Sequence, residues 1–176
     1  AAPFFPVIAL LRGYFDIAAG EDVQSAQTKI LDRMLAADLT LGDAAPPILA
    51  LLDALPQLPA KDLERYPGVV EAIAKFHGME PQEKRARTFD ALKQLLLRES
   101  RAQRLLVLFE DLHWIDSETQ VFLDGLIDGL ALLKLLVVVN YRPGYNHAWG
   151  DKTYYTQLRV EPLQQTSAEE LLSHLL

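Results

Sequence analysis

The sequence predicts an α/β fold with a parallel sheet placed after a helical N-terminal half. Two unalternating apolar runs, Leu105–Phe109 and Leu135–Val139, read as buried strands, and a capped helical stretch lies between them. The first hundred residues instead carry apolar positions at helical spacing and contain no convincing strand.

In chain order, helical periodicity runs from Val7 to Phe15, Val23 to Leu39 and Ile48 to Leu55. Pro46-Pro47, Pro56 and Pro59 punctuate this region, and Gln57 to Gly68 reads as its most mobile stretch. Glu80-Pro81 opens a long helix with proline in its first turn, and Phe89, Leu92, Leu95 and Leu96 form its apolar stripe to about Ser100. The first strand follows, ending in Glu110-Asp111. Ser117 with Gln120 has capping-box spacing and opens a helix to about Gly129. The second strand ends in Asn140-Tyr141-Arg142-Pro143. A third strand is expected over Tyr154 to Val160, then a capping box at Ser167 to Glu170 and a closing helix. The division is thus 1–103, mostly helical, and 104–176, strands and helices.

Composition narrows the function. The 176 residues carry 17 Lys and Arg against 24 acids, a net charge of −7, which disfavours direct nucleic-acid binding through a broad basic surface. Half the residues are apolar, enough for a folded core, and with no cysteine there are neither disulfides nor thiolate zinc sites. The absence of cysteine fits a cytoplasmic location. No uncharged run is long enough for a membrane span; Ala1 to Leu11 is short and broken by Pro3 and Pro6.

The chemistry concentrates at the strand ends. Ligands of open α/β sheets bind at the carboxyl ends of strands, and two adjacent carboxylates there repel each other unless a metal ion, a cation or a reacting water offsets the cost. Glu110 and Asp111 are therefore candidate metal and catalytic residues, with Asn140 and Arg142 at the neighbouring strand end. An ion pair of Arg142 with either acid is the structural alternative. His113 reads as a partner for the acids, Trp114 as packing under the next helix, and Asp116 as capping or supporting that helix start. His77, His147 and His174 show no ligand spacing. Lys84, Arg85, Arg87, Arg98, Arg101 and Arg104 read as a solvated basic face.

Leu-Leu-Val-Leu-Phe-Glu110-Asp111-Leu-His113-Trp114-Ile-Asp116-Ser resembles the Walker B strand and turn of signal-transduction ATPases with numerous domains, a branch of the AAA-like P-loop NTPases. Val-Val-Asn140-Tyr-Arg142-Pro143 resembles their sensor strand. Thr88 to Ser100, Asn140 to Tyr145 and Trp149 to Leu163 are similar to ATPase-like modules of large bacterial proteins with class III adenylate or guanylate cyclase domains. The likeness runs from about Phe4 to the end and is weakest between Gln57 and Met79. It implies ATP and magnesium as cofactors of an intact parent, with Glu110 and Asp111 handling the metal shell and the attacking water. Arg142 would read the γ-phosphate, and Asn140 and His113 would line the nucleotide. The commoner order places Asp before Glu, and this chain inverts it.

A P-loop needs a glycine-rich turn followed by Lys and Ser or Thr. None of the nine glycines precedes a lysine. The expectation is therefore a fragment lacking the Walker A segment, inactive alone, whose partners are other domains of its parent. Unpaired edges at Leu135–Val139 and Tyr154–Val160 would then favour a dimer or oligomer. The alternatives are the ATPase module of a LuxR-type transcriptional regulator and a degenerate, non-enzymatic interaction scaffold.

Overall fold

The computed structural model describes residues 3–35, 39–57, 63, 65–66, 68–161 and 173. They fall into two compact units, Ala1–Asn146 and His147–Leu176.

The first unit opens with α1 (Phe5–Tyr14), which has proline in its first turn and ends where Asp16 adopts a left-handed conformation with φ 55°. Helix α2 (Val23–Leu35) is capped by Asp22, whose carboxylate accepts from Ser25 N at 2.9 Å. It buries Ala26, Ile30, Leu31 and Met34, one stripe at three- and four-residue spacing. A short 3-10 segment (Leu39–Ala44) leads into α3 (Ala45–Leu51). Pro46 and Pro47 lie in the first turn of α3 rather than ahead of it, where their missing N–H groups cost nothing. The helical periodicity ran past one end, since α3 stops at Leu51, and the end of the stretch expected from Val23 to Leu39 passes through 36–38, outside the described residues.

Most of Gln57 to Gly68 lies outside the described residues. Of those described, Leu63 and Tyr66 are buried, with Tyr66 Oη donating to Asp32 at 2.6 Å, and Gln57, Arg65 and Gly68 are exposed. Helix α4 (Val69–His77) and the 22-residue α5 (Pro81–Ala102) follow, and α5 packs on α3. Its basic residues are not simply a solvated face. Arg98 donates to the carbonyls of Met34 at 2.9 Å and Arg33 at 3.2 Å, in the last described turn of α2, and Arg85 pairs with Glu118. Phe89 on α5 meets Phe4 edge-on at 5.5 Å and stacks with Phe122 at 6.4 Å.

Strands β1 (Leu105–Phe109) and β2 (Leu135–Val139) pair in parallel, Leu105 with Leu135 through Phe109 with Val139. Helix α6 (Ser117–Asp128) connects them and buries Thr119, Phe122, Leu123, Leu126 and Ile127. Within the first unit, the described residues cover one face of the strand pair, not both faces as the apolar runs had implied. Val107, Phe109 and Leu135 enter the core, whereas Leu106, Leu108, Leu136 and Val138 are exposed on the other side.

In the second unit, His147 stacks on Trp149 at 4.6 Å, and Tyr155 Oη lies 3.2 Å from His147 Nε2. The expected third strand is not formed. Tyr155 N turns back to Lys152 O, Tyr154 to Val160 contains no strand, and Leu158 is 85% exposed. High β-propensity does not by itself make a strand, because it is a context-dependent preference. The capping box at Ser167 and the closing helix lie outside the described residues, apart from helical Ser173. No described helix is long and apolar enough to cross a membrane.

Candidate functional site at the strand ends

Parallel pairing without a register offset brings the last residues of β1 and β2 side by side, so that Glu110-Asp111 and Asn140 meet although 29 positions separate Asp111 from Asn140 in sequence. The chain leaves β1 through a continued ladder: Asn140 N donates to Phe109 O at 3.1 Å and Leu112 N to Asn140 O at 3.0 Å. Between these bonds Asp111 takes φ 53°, ψ 45°, a left-handed conformation that aspartate enters more readily than most residues but that still strains the backbone. The Asn140 side chain holds it there, its Oδ1 accepting from Asp111 N at 2.7 Å.

That turn projects both carboxylates outward. Glu110 and Asp111 are exposed, so solvent rather than a buried counter-ion offsets their repulsion, contrary to the expectation of desolvated acids. Arg142 is also exposed, and among the described residues it forms no ion pair with either acid. Its carbonyl closes a turn with Tyr145 N at 3.2 Å, in which Gly144 supplies the required φ of 100°. His113 Nδ1 stands 4.0 Å from Asp111 Oδ1, and both ring nitrogens are shut off from solvent without a hydrogen-bond partner. Trp114 does not pack under α6; it is 73% exposed and tilts against the His113 ring at 5.2 Å. The short 3-10 turn Leu112–Trp114 explains this, since burying Leu112 completely rotates the indole out to solvent.

Asp116 caps α6, as its place at the helix start led one to expect, and the capping box of Ser117 with Gln120 is not used. Its carboxylate accepts from Thr119 N at 2.9 Å, Thr119 Oγ1 at 2.7 Å and, far away in sequence, Phe4 N at 3.0 Å. Burial pushes this carboxyl upward, but the Thr119 and Phe4 hydrogen bonds outweigh it and hold the carboxyl below the ordinary aspartate range. Gln120 bonds instead to Asp124 and Tyr145. The link from Asp116 to Phe4 had no sequence signal, because a carboxylate shared across 112 positions leaves no local pattern.

Two outward carboxylates on successive residues do not build a protein cage for a metal, and no three His, Cys, Asp or Glu side chains among the described residues do so. They fit the kind of divalent cation that keeps its waters and takes one or two carboxylates beside substrate phosphates, as magnesium does. A polar loop at the carboxyl end of a parallel sheet is a ligand-binding position of α/β proteins in general.

Comparison with protein families matches residues 3–139 to the AAA ATPase domain, and the chain belongs to that family. The matched region holds Glu110, Asp111 and His113 and stops one residue before Asn140. Comparison with curated proteins and with solved structures found no match.

Proposed function

We propose that this chain is part of a regulatory ATP-binding module of a multidomain bacterial signalling protein, with a nucleotide cyclase as the parent's output and a cytoplasmic location. Glu110 and Asp111 sit at the metal and attacking water, Asn140 and His113 line the nucleotide, and Arg142 meets the γ-phosphate. The observation carrying this reading is the junction of Glu110-Asp111 with Asn140 at the ends of two parallel strands. The freedom of Arg142 from the acids supports it, because a guanidinium not committed to a carboxylate is available to a phosphate. Membership in the AAA ATPase domain family supplies the chemical class.

No glycine here is followed by lysine, so phosphate cradling falls to sequence outside these 176 residues. The chain alone is then inactive, and nucleotide acts in the parent as a switch between domain arrangements. Calorimetry with ATP and magnesium tests this on the chain and on a longer one extended upstream. Binding by the extended chain alone is expected. Binding by the 176 residues alone would overturn the requirement for a further phosphate loop, and silence from both would favour a non-enzymatic scaffold.

A further inference from the structure

The loop that carries Arg142 is tied down on both sides. On the strand side, Asn140 N donates to Phe109 O at 3.1 Å, two residues before Arg142. On the far side, Pro143-Gly144 has the residue pattern of a type II turn, with Gly144 at φ 100° and Tyr145 N donating to Arg142 O at 3.2 Å. That turn alone does not fix the loop in space, because Arg142, Pro143 and Gly144 are all exposed. Tyr145 supplies the anchor: it is half-buried, and its Oη donates to Oε1 of Gln120 on α6. Gln120 is held in turn by Asp124, one helical turn on, with Nε2 donating to Asp124 Oδ1 at 2.9 Å. Because the carboxylate takes the amide N–H, the amide oxygen is left facing the phenol, and the bonds run in one direction from Tyr145 through Gln120 to Asp124. Helix α6 is a firm base for them, capped by Asp116 and buried through Thr119, Phe122 and Leu123. The Tyr141 ring lies 5.3 Å from that of Tyr145, so the residue before Arg142 closes on the same anchor.

We propose that Tyr145 and Gln120 are positioning residues for Arg142, fixing where its guanidinium meets a terminal phosphate and so setting how strongly the module distinguishes a nucleoside triphosphate from a diphosphate. The inference rests on the reading of Arg142 given under the proposed function. A guanidinium gains from its fixed fork of donors only while its backbone is held in place, and the anchor on α6 provides that hold for an otherwise exposed loop.

Calorimetry with ATP and with ADP, each with magnesium, tests this on the chain extended upstream. Arg142→Ala should lower ATP affinity at least about tenfold and leave ADP affinity unchanged, since it removes charge-assisted bonds to the terminal phosphate. Tyr145→Phe, which deletes only the hydroxyl, should lower ATP affinity about fivefold without affecting ADP, and should add nothing once Arg142→Ala is present. Gln120→Leu should act like Tyr145→Phe, whereas Gln120→Glu combined with Asp124→Asn should keep the preference for ATP, because the new carboxylate accepts from both the phenol and the new amide. In the 176-residue chain without nucleotide, Tyr145→Phe should speed exchange of the residue 145 amide, whose acceptor is Arg142 O, relative to that of Leu112. If Arg142→Ala weakens ATP but Tyr145→Phe does not, or if Tyr145→Phe weakens ATP and ADP equally, the positioning role is overturned and the reading of Arg142 stands. An unchanged amide exchange rate in Tyr145→Phe overturns the anchor. No ATP binding by the extended chain, or indifference to Arg142→Ala, overturns the reading of Arg142 and the positioning role with it.

Discussion

Asn140 and Asp111 form one unit: the Asn140 side-chain oxygen accepts from the Asp111 backbone N–H at 2.7 Å, and Asp111 holds φ 53° beneath it. The bond spans the ends of two strands and fixes where the carboxylates point. Asn140→Ala is expected to cost about 1 kcal/mol in urea unfolding. It should also speed hydrogen exchange of the Asp111 amide relative to that of Leu112, whose partner is the Asn140 carbonyl and survives the substitution.

The left-handed backbone at Asp111 separates two substitutions that both delete its carboxylate. Asp111→Gly removes the steric cost of a Cβ in that conformation, whereas Asp111→Ala keeps it. The glycine variant should be the more stable by about 1 kcal/mol in chemical denaturation. Equal stabilities would show that the turn relaxes out of the left-handed region.

Trp114 is expected to matter little to stability. With 73% of its surface exposed, Trp114→Ala should change the unfolding free energy by less than about 0.5 kcal/mol. Leu112, two residues earlier and completely buried, should cost about 3 kcal/mol when cut to alanine. Thermal melts of the two variants check the contrast directly.

Glu21 sets part of the acid limb. Lys29 Nζ at 2.8 Å, Ser25 Oγ and Ala18 N stabilise its carboxylate and hold its pKa at about 2, against an ordinary 4.5. A carboxyl lowered in the folded state contributes stability that is complete above its unfolded pKa and lost as pH falls through the folded one. Glu21→Gln should therefore flatten the fall in melting temperature between about pH 4.5 and 2 and leave the slope near neutrality unchanged.

Much of this was legible in the sequence because it depends on local spacing. The apolar stripe of α5, the proline-started helices and the two strand runs are periodic signals, and the acids at the end of β1 are adjacent in the chain. What misled was the assumption that an apolar run is covered on both sides. Leu106 and Leu136 are as apolar as Val107 and Val137, and which face is covered depends on what packs there, not on the strand's own composition. Tyr154 to Val160 failed similarly, since strand propensity depends on the tertiary context. Within the candidate site, Glu110, Asp111, Asn140 and Arg142 could be named, but not the bond from Asp111 to Asn140, which exists only once the register is set.

The Asp116 carboxylate caps α6 with one set of lone pairs and receives Phe4 N, at the start of α1, with the same oxygen that binds Thr119 N. A single residue thus ties the first described turn of the chain to the loop that leaves β1, and neither can let go without leaving the other with part of its anchor. Exchange of the Phe4 and Thr119 amides should report one shared opening event, so the first helix is a built-in gauge of whether the acidic loop is in place.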